Sequence, residues 1–159
     1  MNINHSQISP TEAALLFDEI YLVKEKDFSI QINYTGSNHP KVLHVVYLTD
    51  TEFNTDIQFI YTVSEKGLKI EKDNLAIVNV KNQEHLYFQN LNDFFGSTHI
   101  IFWGCNNWLN KQGITAQNYS AVLYAGVNCI LVEPSKTIEN DTKLKALLWG
   151  ILQKVFFEK

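Results

Sequence analysis

Four short runs of apolar, largely β-branched residues constrain this chain more than any other feature: Val42–Leu48, Leu75–Val80, His99–Trp103 and Asn128–Val132. Each is nearly continuous in hydrophobic side chains, the pattern of a strand covered on both faces. Between them lie segments with helical spacing. Thr49-Asp50-Thr51 opens one, with Phe53, Ile57, Ile60 and Tyr61 on one side and Gly67 as a left-handed stop. Residues 84–95 form another, carrying Leu86, Phe88, Leu91, Phe94 and Phe95 and closed by Gly96. The clearest period comes last: Asn140 or Asp141 caps a long helix with Leu144, Leu147, Leu148, Ile151, Leu152, Val155 and Phe156. Buried strands alternating with helices predict an α/β chain, a three-layer α/β/α sandwich around a mostly parallel central sheet of about four to five strands.

The remaining segments are less regular. Residues 1–8 are polar and expected to be disordered. Ser9-Pro10-Thr11-Glu12 reads as a capped helix start, so residues 9–23 are expected to form an N-terminal helix or docking segment. Its apolar stripe is Ala13, Leu16, Phe17 and Ile20, widened by Leu15 and Tyr21. Phe28, Ile30, Ile32 and Tyr34 alternate with polar residues as in a strand with one wet face, and residues 35–40 read as a turn or loop. The stretch 105–118, rich in Asn and Gln, reads as a long loop with one helical turn, and Ser120–Tyr124 as a short strand or helix. No internal repeat or low-complexity linker interrupts the chain, so residues 1–159 are expected to form a single domain.

Charge narrows the classes of partner. All 13 basic residues are Lys, none is Arg, and the net charge is -4. Lys offers phosphate a point charge where Arg offers a bidentate fork, so tight autonomous nucleic-acid binding is not expected, although a local Lys cluster could touch DNA weakly. No apolar run approaches the roughly 20 residues of a membrane span, and no signal peptide is read at residues 1–10, so the expectation is a soluble, cytoplasmic protein without membrane contact. Cys105 and Cys129 have no Cys or His at ligand spacing and sit in apolar company, which predicts buried free thiols and no metal site. No Gly-rich phosphate loop and no Gly-x-Ser-x-Gly elbow follows any strand, so neither a nucleotide cofactor nor esterase chemistry is expected.

In a parallel sheet, ligands meet the carboxyl ends of the strands. Those corners are Thr49-Asp50, Asn79-Val80, Gly104-Cys105 and Glu133-Pro134-Ser135. Asp50 and Glu133 could act as paired carboxylates, one sharing a proton or activating water. Alternatively, Asp50 caps the following helix and Glu133 precedes a turn made by Pro134 and Ser135. His44 and His99 lie at or near strand starts, where an imidazole satisfies a backbone group more often than it catalyses. Apolar residues in polar or terminal settings, namely Leu15–Leu22, Trp108 and Phe156-Phe157, either pack on the core or form a docking surface.

Gly126–Leu131 followed by Asn140-Asp141-Thr142-Lys143-Leu144-Lys145-Ala146-Leu147-Leu148-Trp149 resembles the end of the psi subunit of bacterial DNA polymerase III, where a Lys/Arg-Ala-x-Leu-Trp helix ends the domain. The order of elements is similar too, including a short apolar segment before the first strand. The resemblance implies a non-catalytic adaptor without cofactors. The N-terminal peptide would dock on the clamp loader, and the folded body would bind a chi-like subunit and so connect to single-stranded-DNA-binding protein. Leu16, Phe17, Ile20, Tyr21 and Leu22 would then be the partner-binding residues. They depart from the family in lacking a Trp, and the absence of Arg leaves fewer polar anchors.

A second resemblance is to uracil-DNA glycosylases, whose fold psi itself resembles. Ile100–Gly104 is similar to the glycosylase strand ending in Leu-Trp-Gly, Val132–Ser135 to the His-Pro-Ser loop, and Asn79 falls where that family places its base-reading Asn. This alternative implies a base-binding or repair pocket formed by Asp50, Asn79, Trp103, Glu133 and Ser135. Glu133, however, stands where the family has the His that stabilises the leaving uracil anion, and a negative charge there would oppose it. The Gly-Gln-Asp-Pro-Tyr loop is also missing, with Asp50 alone remaining. The expectation is a shared scaffold without its chemistry.

Overall fold

The computed structural model describes residues 30–158, so the N-terminal segment with Leu16, Phe17, Ile20, Tyr21 and Leu22 lies outside the described residues. Ile30 and Ile32 pack on the core, but among the described residues hydrogen-bonded strand begins only at β1, Tyr34–Gly36. This corrects the strand expected across Phe28–Tyr34 at residues 30–33, Phe28 lying outside the described residues, and the turn expected at Thr35-Gly36. Gly36 has φ +104°, and a Cβ there would run into the Leu75 carbonyl, so the glycine is what lets β1 approach its neighbour.

The four apolar runs become β2 (Val42–Val46), β3 (Leu75–Asn79), β4 (His99–Trp103) and β6 (Val127–Val132), with β5 (Ser120–Tyr124) between the last two in sequence. The order is β1-β3-β2-β4-β6-β5. The central β3-β2-β4-β6 pairs are parallel, and β1 and β5 join antiparallel at the edges. The sheet therefore has six strands, one more than the four to five expected, because Ser120–Tyr124, readable as strand or helix, is a strand at one edge and β1 forms the other.

Helix α1, Asp50–Thr62, starts on a capping box. Thr49 Oγ1 accepts from the Glu52 N–H at 3.4 Å, and Glu52 Oε2 accepts from the Thr49 N–H at 2.9 Å. The cap is thus Thr49, not Asp50. A wide π turn, Val63–Leu68, continues the helix, and the left-handed residue that ends it is Lys69 (φ 58°) rather than Gly67. Gly67 instead makes room for an indole, since a Cβ there would stand 3.2 Å from Trp149 Cζ3. Helix α2 runs from Phe88 to Phe95, shorter than residues 84–95, and Gly96 closes it in the left-handed conformation. Short helices α3 (Asn106–Asn110) and α4 (Ser135–Glu139) follow β4 and β6. Helix α5, Thr142–Phe156, is capped by Asp141, whose Oδ1 accepts from the N–H groups of Lys143 and Leu144.

Alternation along the strands gives each sheet face its own core. Leu43, Val45, Ile100 and Phe102 meet Leu91 and Phe95 of α2 and Leu109 of α3. On the other face Val42, Val46, Ile101 and Ile130 meet Ile60 of α1, Ile138 of α4, and Leu148 and Leu152 of α5. Burying each such side chain fully stabilises the fold by roughly 1.5–3 kcal/mol before entropy is counted. Leu147, expected on the apolar side of α5, is half exposed. No helix among the described residues is long and apolar enough to cross a membrane.

Candidate functional site: the carboxyl rim of the sheet

The chain passes from β2 to β3 on one side and then crosses to β4 on the other, so the exits of β2 and β4 flank the point where the winding reverses. The five residues of the expected pocket divide across this rim. Asp50 and Asn79 line one cavity of about 320 Å³ with Phe53, Asn82 and Gln83. Glu133 and Ser135 follow β6, two strands from β2, or about 10 Å at the usual strand spacing, and Trp103 is buried in the core.

The polar groups of the Asp50–Asn79 cavity are largely spent on the fold. Asn79 Oδ1 accepts from the Leu48 N–H at 3.1 Å, and its Nδ2 donates to the Leu48 carbonyl at 2.8 Å. That clasp ties the exits of β3 and β2 together and occupies the amide a base-reading Asn would present. Gln83 Oε1 accepts from the Asn33 N–H at 3.1 Å, while its Nε2 donates to the Asn79 carbonyl at 2.7 Å. Asp50 Oδ1 accepts from Asn82 Nδ2 at 3.0 Å.

Trp103 belongs to a buried relay that sequence reasoning missed. Its Nε1–H donates to His44 Nδ1 at 3.1 Å, and His44 Nε2 stands 2.9 Å from Ser64 Oγ, which donates to the Ile60 carbonyl at 3.0 Å. With Nδ1 accepting, the neutral ring carries its proton on Nε2 and donates it to Ser64. Burial pulls the His44 pKa down to about 3, so the ring stays neutral. Serine and histidine are adjacent here, yet the ring is a donor, the hydroxyl is committed to a carbonyl, and neither side chain is accessible. This is a structural bridge from β4 through β2 to the α1 turn. His44 is thus mid-strand and pairs with side chains, not with a backbone group. The only hint in the sequence was a histidine inside an otherwise apolar run.

At the exit of β6, three buried polar atoms have no hydrogen-bond partner among the described residues: Tyr119 Oη, Glu133 Oε2 and Ser135 Oγ. Burial, reinforced by the neighbouring Glu133 carboxylate, pushes the Tyr119 hydroxyl well above the ordinary tyrosine range. Beside this corner, Gly104 (φ +67°) turns the chain out of β4 against the Pro134 ring.

His99, at the opposite end of β4, packs its ring 4.6 Å from that of Phe156 and stands 2.9 Å from Thr98 Oγ1. Cys105 and Cys129 are free and buried. Among the described residues, no three His, Cys, Asp or Glu side chains converge as metal ligands.

Trp149, Leu147 and Phe157 are exposed, and Trp149 borders an almost wholly apolar cavity of about 220 Å³ with Phe59, Val63 and Leu152. Trp108 is half buried, its ring 6.1 Å from that of Phe102. No protein-family model matches this chain, and no curated protein matches it significantly in sequence.

Proposed function

We propose that this protein is a non-catalytic adaptor resembling the psi subunit of the DNA polymerase III clamp-loader complex, acting through protein–protein contacts in DNA replication. Its scaffold would be a three-layer α/β/α, uracil-DNA glycosylase-like sandwich, a reading supported by the core on each face of a sheet with a parallel centre. The observation that carries the proposal lies on α5. The stretch Lys145–Trp149, which resembles psi in sequence, leaves the Trp149 ring partly exposed at the border of an apolar cavity and Leu147 half exposed elsewhere on the helix. A partly exposed tryptophan next to an apolar hollow is typical of surfaces that hold another protein. The clasped Asn79 amide and the Glu133 carboxylate add support, since neither is placed to stabilise a leaving base.

Co-purification of the tagged full-length chain with the clamp-loader subunits and chi-like protein of the same cell tests the proposal. Both partners are expected with the full chain, the clamp loader is expected to be lost on removing residues 1–25, and the chi-like partner to weaken with Trp149→Ser. Failure of both to co-purify with the full chain counts against it.

One observation favours the glycosylase-like alternative: Asp50 and Asn79 do share a cavity. Uracil release from single-stranded DNA, abolished by Asp50→Asn, would support that reading over the adaptor.

A further inference from the structure

A large hollow on the rim lies at the winding reversal itself. A cavity of about 480 Å³ is bounded by Tyr47 after β2, by Gly104 after β4, and by Trp108 and Lys111 on and just beyond α3. A second cavity of about 300 Å³ adjoins it, shares Tyr47, Trp108 and Lys111, and adds Tyr87 and Lys81. Tyr47 and Tyr87 are both about half exposed, and Lys81 Nζ stands 5.6 Å from the centre of the Tyr47 ring. In a chain with more acidic than basic residues, this groove holds two lysines against the single carboxylate of Glu84.

We infer that this groove binds a short single strand of nucleic acid, with bases stacking on Tyr47, Tyr87 and Trp108 and phosphates facing Lys81 and Lys111. Flat rings spaced along a trough with cations at its edge suit a sequence-tolerant polyanion whose bases offer π faces. Two adjoining hollows with three rings accommodate several nucleotides in a row, which favours a strand over a free mononucleotide. An acidic peptide would use the lysines but leave the rings without planar partners. The absence of Arg and the overall negative charge keep the contact weak, with a dissociation constant on the order of 10⁻⁵ M at modest salt. The inference is independent of the adaptor proposal, whose test reads protein partners and involves α5 and the N-terminal segment.

The test is fluorescence anisotropy of a labelled 12-nucleotide oligo(dT) titrated with the full-length chain. Saturable binding is expected, weakened roughly tenfold by Tyr47→Ala, since each stacked base contributes about that much. Lys111→Glu is expected to weaken it as well. The logarithm of affinity against that of salt should fall with a slope near about -1.4, as two phosphate contacts on a single strand require. Both substituted side chains are exposed, and an unchanged melting temperature in each variant shows that the fold is intact. The inference is overturned by absence of saturable binding, by binding that both variants leave unchanged, or by equal displacement with dTMP or an Asp/Glu-rich peptide at the same concentration as unlabelled oligonucleotide.

Discussion

Asn79 grips Leu48 from both sides: its amide oxygen takes the Leu48 N–H at 3.1 Å and its amide nitrogen reaches the Leu48 carbonyl at 2.8 Å. One side chain thereby satisfies the donor and the acceptor of a residue that has just left β2, where the neighbouring strand no longer supplies partners. Asn79→Ala removes both bonds, and a third that Oδ1 accepts from the Lys81 N–H at 3.3 Å, leaving three backbone groups in a partly buried place. The expected loss is about 1–3 kcal/mol, read as a lower urea midpoint with an unchanged slope. Asn79→Asp should lose at least as much at neutral pH, because a carboxylate would face the Leu48 carbonyl. If instead Asn79 served only as a ligand contact, both variants would unfold like the parent.

His44 makes stability depend on pH with a definite sign. Its folded pKa of about 3 lies below the unfolded value of 6.5, because burial disfavours the imidazolium. As pH falls below 6.5 the unfolded chain takes up a proton that the folded chain refuses, so stability is lost progressively down to about pH 3. The slope from this group approaches about 1.4 kcal/mol per pH unit. His99, lowered by partial burial, acts in the same direction. Urea unfolding between pH 4.5 and 7.5 should therefore show a steeper acid loss for the parent than for His44→Gln. The variant should be the less stable of the two at pH 7.5, since the glutamine amide matches the Trp103 and Ser64 partners only in part. Parallel curves would mean that His44 is not buried as a neutral ring.

The central strands were legible because doubly covered β-strands need apolar side chains on both faces, and few other structures do. The edges were not. Gly36 reads as a turn residue, yet it is in strand because Leu75 leaves no space for a Cβ; Leu123 is exposed on β5, so its segment lacks a buried alternation. Gly67 misled for a similar reason, being small for the sake of Trp149, far along the chain. Rim residues were identified as neighbours of strand ends, but their roles depend on partners no local pattern reveals. Asn79 is spent on Leu48, and Trp103 on His44, only because the parallel register sets those strands side by side.

Gly104 combines a conformational and a packing requirement. At φ +67° any other residue is strained, and a Cβ there would lie 2.7 Å from Pro134 Cγ, so either β4 or the β6 exit must shift. Gly104→Ala should cost about 1–3 kcal/mol from the backbone alone. It should lower the melting temperature by roughly 2–4 °C for each kcal/mol in a chain of this size. Gly113→Ala shares the left-handed conformation but has nothing within 4 Å of the new Cβ, so it should be the milder of the two. Equal melting temperatures for the two variants would show that the collision with Pro134 is relieved at no cost.

The two thiols give a direct measure of how closed the core beneath α2 and α3 is. Burial pushes Cys105 far above the ordinary thiol range and Cys129 up to about 12, so at pH 8 both remain protonated and unreactive. Cys105 Sγ also lies 3.5 Å from the Val45 carbonyl, a contact that holds it within the sheet. A colorimetric disulfide reagent at pH 8 should therefore label almost no thiol in the native chain and two per chain in guanidinium. Because labelling requires opening, its native rate should rise in step with destabilisation in Asn79→Ala, whose clasp lies on the same rim as Cys105. Prompt reaction of one thiol in the parent would show that the core around it is open to solvent.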